Sequence, residues 1–392
     1  MDKKNVEAIY PLSPLQKGIL FDSLYSPDTL GYFVQVHFDL EKPNLDWLKQ
    51  VWTEIQQRHP VLRTLFVWEN QKQPLQIVLK QVDLNWQIED WKQYDAQTKN
   101  EKLTQLLQED KKKGFNLNKA PLMRFYIIQL SEEKVHFIWS HHHIVLDGWS
   151  FPIILQEVLK LYQARADNQP PTVKTLRPFK DYIQWIQKHD ADHAKQYWTQ
   201  NLAKITAPTP LLINKPPAAN SAYLEQHYSF SEQIKLKLQS FSREQRITLN
   251  TLVQATWALV LGCYSRNQEV LFGGMVSGRP AELTQVETMV GLFANTIPVV
   301  VQINTQQSVK DWLQQLQSEQ VEREEYSYQS LVDIQQWSNI AAGANLFDSV
   351  VVTENFPVND SLTDSQQALH IQNFQFSEHA NTPLILVFSL YQ

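Results

Sequence analysis

Seven consecutive residues, His142-His143-Ile144-Val145-Leu146-Asp147-Gly148, gather most of the chemistry this chain offers. Histidine titrates near neutrality, so it can take a proton from a nucleophile or hand one to a leaving group. A carboxylate four residues on can orient such an imidazole, or it can hold the loop in shape. The glycine beside it allows a tight turn and the close approach of a substrate. His141 makes three histidines in a row, and with Asp147 the group looks rich in metal ligands. Adjacent strand residues face opposite ways, however, and no H-x-x-x-H, H-E-x-x-H or cysteine-based spacing lies nearby, so zinc is disfavoured. No G-x-S-x-G elbow is present, which leaves a serine-hydrolase triad without support. The pattern points to proton handling at an imidazole.

Flanking residues place the string on a strand-to-helix loop. Upstream, Val135-His136-Phe137-Ile138-Trp139-Ser140 alternates and is rich in strand formers, and Ser131-Glu132-Glu133-Lys134 marks a turn from the run 122–130. Downstream, Ser150 is placed to cap a helix whose apolar residues Ile153, Ile154, Val158, Leu161 and Tyr162 recur at helical spacing. If the strand continues through the histidines, His141 and His143 share a face and His142 points oppositely.

Other elements are well marked. Ser13-Pro14-Leu15-Gln16 reads as a capping box with proline at the first helical position. Asn44 caps a helix carrying Leu45, Leu48, Val51, Trp52 and Ile55 on one side, ending near Pro60, and 61–68 reads as a strand. Ala166-Asp167-Asn168-Gln169-Pro170-Pro171 is the clearest linker and sets the expected domain boundary. Beyond it the spacing predicts helices near 179–200, 232–245, 248–263 and 308–322, and strands near 269–277, 296–303, 348–353 and 384–391. Helices and strands alternate irregularly in both halves, which indicates α/β (α+β) sandwiches rather than a doubly wound nucleotide fold.

A chain of 392 residues with 43% hydrophobic residues is long enough for two cores. Its net charge of −6 argues against a nucleic-acid surface, and Lys111-Lys112-Lys113 reads as a solvated helix end. With 10 glycines and no Gly-rich phosphate loop, ATP or dinucleotide binding is disfavoured. The single cysteine, Cys263, rules out a disulfide framework, fits a reducing cytoplasm and is expected in a core. No signal peptide and no membrane-length apolar run is seen, so a soluble cytoplasmic protein is expected.

The string His142–Gly148 resembles the active-site signature of nonribosomal peptide synthetase condensation domains, and the resemblance runs from about residue 9 to the last residues. Tyr10-Pro11-Leu12-Ser13-Pro14-Leu15-Gln16-Lys17-Gly18-Ile19-Leu20-Phe21 is similar to the family's opening motif, and Arg58-His59-Pro60-Val61-Leu62-Arg63-Thr64-Leu65-Phe66 matches its R-H-x-x-L-R-T-x-F motif. Phe179-Lys180-Asp181-Tyr182-Ile183-Gln184-Trp185, Val276-Ser277-Gly278-Arg279-Pro280 and Gly291-Leu292-Phe293-Ala294-Asn295-Thr296 resemble three more.

The resemblance implies two chloramphenicol-acetyltransferase-like subdomains in a V-shaped pseudo-dimer, 1–168 and 169–392, with the second cut short after the 384–391 strand. It implies amide formation between a donor acyl or peptidyl thioester and an acceptor aminoacyl thioester. His143 is then the catalytic residue, as a general base or by orienting the amine. His142, Asp147, Gly148 and Arg63 shape its loop, Asp147 and Arg63 as one ion pair. Trp149, packed behind that loop, Ser277 and Asn295 are substrate-channel candidates. No metal or directly bound cofactor is implied, because the substrates ride on phosphopantetheine arms of donor and acceptor peptidyl carrier proteins. An adenylation domain is the expected neighbour, with neither nucleic acid nor membrane as partner.

Rival readings are an epimerization domain of the same superfamily, a non-catalytic recruitment module and a freestanding acyltransferase using a coenzyme A ester. Trp149-Ser150 after Gly148 looks more like condensation than epimerization domains, and both motif histidines are kept. Heterocyclization domains carry paired aspartates in place of the string and are disfavoured.

Overall fold

The structure is a computed structural model that describes residues 3–25, 31–171, 176–211, 224–341, 344–354, 368–378 and 382–389. In chain order its first elements are β1 (Val6–Pro11), α1 (Pro14–Tyr25), β2 (Phe33–Glu41), α2 (Leu45–Arg58), β3 (Thr64–Val67), β4 (Leu75–Leu79), β5 (Trp86–Asp90), α3 (Ala96–Lys113), β6 (Met123–Gln129), β7 (Lys134–His142), α4 (Ser150–Ala166) and α5 (Phe179–Gln187). Then come α6 (Ala191–Asn201), α7 (Glu232–Gln245), α8 (Leu249–Ser265), β8 (Glu269–Val276), β9 (Asn295–Gln302), α9 (Val309–Glu325), α10 (Leu331–Trp337), β10 (Ser349–Glu354), β11 (His370–Ser377) and β12 (Leu384–Ser389). The fold is mixed α/β with three sheets among the described residues.

Two compact units result. The first comprises Met1–His189, Arg279–Phe293 and Phe356–Asn381; the second comprises Asp190–Gly278, Ala294–Asn355 and Thr382–Gln392. The division falls after His189 rather than at the expected 168/169, and the chain revisits the first unit twice. Helix α5 stays with that unit because Phe179, Tyr182 and Ile183 are buried against Tyr10, Val78, Met289 and Phe293.

In the first unit, a five-stranded sheet runs β11-β2-β7-β6-β5, antiparallel except for β5 beside β6. Strand β2 is buried on both faces because its residues alternate between two jobs. Val34, Val36, Phe38 and Leu40 join a core with Phe137, Trp139 and the stripe Leu48, Val51, Trp52 and Ile55 of α2. The Trp52 ring lies 4.7 Å from both Phe125 and Trp139, and burying each such side chain stabilises by roughly 1.5–3 kcal/mol. On the opposite face Ile128 and Ile138 pack against Leu103, Leu106 and Leu107 of α3, and a polar cluster lies beside them. The Asp110 carboxylate of α3 accepts from Gln35 Nε2 (2.9 Å), Ser140 Oγ (2.5 Å), Tyr126 Oη (2.7 Å) and Arg124 Nε. Four donors compensate the burial of that carboxylate and pin β7 just ahead of the histidines. A smaller sheet, β1-β4-β3, completes the unit.

The second unit is built on the sheet β12-β10-β8-β9, in which β10 runs parallel to both neighbours and β8 antiparallel to β9. Ala255, Ala258 and Leu261 of α8 and Trp312, Leu313 and Leu316 of α9 cover Val270, Phe272, Val299 and Val301. Cys263 is exposed, which corrects its expected place in the core. It lies four residues after exposed Leu259, on the side of α8 turned away from Ala255, Ala258 and Gly262. Residues 390–391 of the expected last strand lie outside the described residues.

Two more expectations are corrected. The predicted strand 61–68 is a strand only over β3, because Pro60 opens a 3-10 turn through Arg63. The predicted helix 179–200 is two helices, interrupted where the Asp190 side chain accepts from the Asp192 N–H and starts α6. Among the described residues no single helix is long and apolar enough to cross a membrane; α7 and α8 would suffice together, but they meet at a bend of 101°.

Candidate active site

Strand β7 ends at His142, and His143 opens a 3-10 turn through Val145. His141 is still in the ladder, opposite Val34 and Met123, whereas His143 has left it. The expected shared face of His141 and His143 therefore does not exist, since strand alternation stops one residue too early. The turn is held from several sides. The His143 N–H donates to the Tyr32 carbonyl (2.7 Å), and Gln16 Nε2 donates to the Ile144 carbonyl (3.0 Å). Gln16 is also the capping-box residue: its Oε1 accepts from the Ser13 N–H (2.8 Å), while Ser13 Oγ accepts from the Gln16 N–H (3.4 Å). One side chain thus starts α1 and braces the histidine turn.

Asp147 is buried, and its carboxylate organises the next stretch. Oδ1 accepts from the Ser150 N–H (2.8 Å), and Oδ2 accepts from the Phe293 N–H (2.9 Å). Arg279 Nη2 stands 3.2 Å from Oδ1, and its guanidinium lies over the Phe293 ring at 4.1 Å. Ser150 Oγ is within bonding distance of Asp147 Oδ1 (2.7 Å) and the Gly291 carbonyl (2.8 Å), with one proton to give, and it accepts from the Gly291 N–H (3.0 Å). Ser150 is thus the first residue of α4 rather than its cap. Trp149 holds the cap position and makes no side-chain capping bond, and the Asp147 carboxylate accepts from the Ser150 N–H instead. Gly148 and Trp149, both half-buried, form the turn into α4, and Gly148 makes it without a left-handed φ.

The expected pair of Asp147 with Arg63 is not formed. Arg63 Nη1 is 2.6 Å from Glu7 Oε2 and also donates to the Leu79 carbonyl, while Nε and Nη2 reach the carbonyls of Gln56 (3.1 Å) and Gln57 (3.2 Å). Its guanidinium fastens the end of α2 to β1 and β4. Both arginines stand in motifs visible in the sequence, but only the fold shows which one meets Asp147.

The three neighbouring histidines differ in charge. His142 Nδ1 accepts from the Ile144 N–H (3.1 Å), which places its proton on Nε2. Burial, reinforced by the positive charge of His143, lowers His142 to about 3. His141, stacked 4.9 Å from Trp139, is lowered to about 3 by burial and by both other histidines. His143 goes the other way. Burial opposes its charged form, but the Glu378 carboxylate, 2.7 Å from Nε2, outweighs burial by charge and hydrogen bond, and Asp147 adds to it, so His143 is pushed up to about 9. At neutral pH the turn holds one imidazolium beside two neutral imidazoles.

Sequence reading missed Glu378. It follows β11, whose pairing with β2 brings it to the histidine turn. The alternation of Phe374 and Phe376 ahead of it was the available signal for that strand.

The remaining candidates belong to the second unit. Val276, at the end of β8, is the register partner of Asn295 at the start of β9, and half-buried Ser277 follows directly. Asn295 is buried, and its Nδ2 donates to the carbonyls of Ser327 (2.7 Å) and Gln329 (2.7 Å), so its amide holds the loop after α9. Among the described residues no three His, Cys, Asp or Glu side chains are arranged to hold a metal ion.

The geometry therefore offers an imidazole that carries a proton while a carboxylate holds it. Comparison with known proteins gives this a family setting. One of the linear gramicidin synthase proteins of Brevibacillus parabrevis is 41% identical over 98% of this chain, and a plipastatin synthase protein of Bacillus subtilis (strain 168) is 34% identical over 96%. The chain spans only 8% and 15% of those two proteins. The starter condensation domain of rhizomide synthetase, in complex with C8-CoA and Leu-SNAC, shares the fold with a TM-score of 0.77 at 16% identity, over 98% of this chain and 86% of that one. A four-domain nonribosomal peptide synthetase bound to AMP and glycine gives 0.78 at 20% identity, over 99% of this chain and 30% of that one. Residues 6–384 match the family described as "Condensation domain", and the chain belongs to that family.

Proposed function

We propose that this chain joins a donor acyl or peptidyl thioester to an acceptor aminoacyl thioester, with His143 handling the proton of the attacking amine. Both substrates arrive on phosphopantetheine arms of peptidyl carrier proteins, and an adenylation domain loads the acceptor. The observation that carries this reading is the place of His143: a half-buried imidazole on a turn braced by Gln16 and followed by the buried Asp147 network.

The amine nitrogen attacks the donor carbonyl carbon, the C–N bond forms, and the C–S bond breaks to leave the donor arm as a thiol. One proton moves from nitrogen to sulfur. An α-amino group titrates near 7.7–8.0, so a useful fraction is neutral at physiological pH. Neutral His143 takes the proton as nitrogen becomes positive and returns it to the leaving sulfur. His142 and His141, neutral and buried, take no part in this transfer. Mixing the chain with separately loaded donor and acceptor carriers, and searching for the dipeptidyl thioester on the acceptor by mass spectrometry, tests the reading. Product that requires both loaded carriers supports it; unchanged carriers beside a competent control domain overturn it.

A further inference from the structure

A base for the amine must have a free nitrogen, yet in this structure His143 Nε2 is taken. Glu378 Oε1 stands 2.7 Å from it, and the carboxylate is the more accessible partner, its side chain 36% exposed against 13% for His143. Asp147 acts on that ring through its charge, and its oxygens are bonded to Ser150, Phe293 and Arg279. Among the described residues, His141 and His142 are its other titratable neighbours, and the charge of His143 helps to keep both of them neutral. The acceptor brings the one further cation that the chemistry requires, because its amine is largely an ammonium at neutral pH.

We propose that Glu378 is a positioning residue: in the resting site it holds the Nε2–H of His143, and the ammonium of the acceptor aminoacyl group displaces His143 from that carboxylate. Freed of its partner, His143 sits among neutral histidines in a buried turn and releases its proton to solvent. The bound ammonium gives one proton to solvent to become the nucleophile, and its second proton passes to His143 as the C–N bond forms. His143 delivers it to sulfur as the C–S bond breaks. A base whose nitrogen is freed of its proton only when an acceptor amine is present would not activate water against the donor thioester. The inference rests on the proposed amide-forming reading for its chemistry, but its first two links are measurable without turnover.

The experiment is a histidine NMR titration of the whole chain, with His143 assigned by comparison with His143→Gln. The native chain is expected to keep His143 protonated well above neutrality, Glu378→Gln to bind that proton at least about tenfold more weakly, one unit of pKa, and Glu378→Asp to fall between them. Addition of an aminoacyl N-acetylcysteamine thioester with a free amine should lower the His143 titration, whereas its N-acetylated counterpart, which cannot carry an ammonium, should not. Equal titration in the native chain and Glu378→Gln overturns the hold of Glu378. An equal response to the two thioesters overturns the displacement. In the carrier assay, Glu378→Gln should shift the pH profile of amide formation to lower pH. Expected NMR behaviour with no amide under any condition would sink the amide-forming reading and leave the Glu378–His143 coupling standing.

Discussion

Asp147 and Arg279 form a buried ion pair beneath the histidine turn, 3.2 Å apart, although 132 residues of chain separate them. The pair closes a network with Ser150, Gly291 and Phe293, so removing one partner strands a charge where water cannot reach it. Asp147→Asn or Arg279→Met should each destabilise by roughly 3–5 kcal/mol. The double variant should lose clearly less than the sum. By contrast, Asp147→Asn with Arg63→Ala should add within about 0.3–0.5 kcal/mol, because Arg63 is bonded elsewhere. Urea unfolding of the three single and two double variants measures both. Coupling of Asp147 to Arg63, or its absence between Asp147 and Arg279, would contradict the network.

Stability should have a shaped pH dependence. His141 and His142 are lowered to about 3, chiefly by burial, and bind no proton near neutrality when folded. Unfolded histidines bind one below their ordinary 6.5, so both destabilise the fold as pH falls below that value. His143, raised to about 9, has the opposite sign: its contribution is complete below 6.5 and is lost as pH rises through 9. These three groups together place a stability maximum near 6.5. Chemical denaturation across this range should show a falling alkaline limb, and Glu378→Gln should flatten it. An unchanged limb in that variant would disconnect Glu378 from His143.

Gly291 lies where its N–H and carbonyl meet Ser150 and its α-carbon faces Phe179. A Cβ added there would overlap the buried Phe179 ring. Gly291→Ala should therefore cost about 1–3 kcal/mol by overpacking, and Phe179→Leu in the same chain should recover part of it. Thermal melting of the single and double variants decides. A neutral Gly291→Ala would show that the ring moves away freely.

How much of this was legible before the fold was known depends on the range of each interaction. The box Ser13-Pro14-Leu15-Gln16 and the Asn44 cap form within a few residues, so the sequence announces them, and the α2 stripe follows from spacing alone. The loop bearing His143 was equally readable, since strand formers precede it and an apolar helix follows. The partner of Asp147 was not. Two motif arginines, Arg63 and Arg279, have the same charge and geometry, and only the path of the chain decides between them. Cys263 misled because α8 has apolar residues on more than one side, so hydrophobicity did not mark the buried face. Glu378 was invisible for a related reason: it acts through β11, which reaches the turn only by pairing with β2.

The most direct test of the account replaces the histidines one at a time in the carrier assay. His143→Ala should lower the rate of dipeptidyl thioester formation by about a hundredfold to ten-thousandfold, the usual contribution of a positioned acid–base group. His141→Ala, compared at equal folded fraction, should keep most of the rate, because that ring is packed against Trp139 in the core. Equal losses in the two folded variants, or near-native turnover in His143→Ala, would contradict the role assigned to His143.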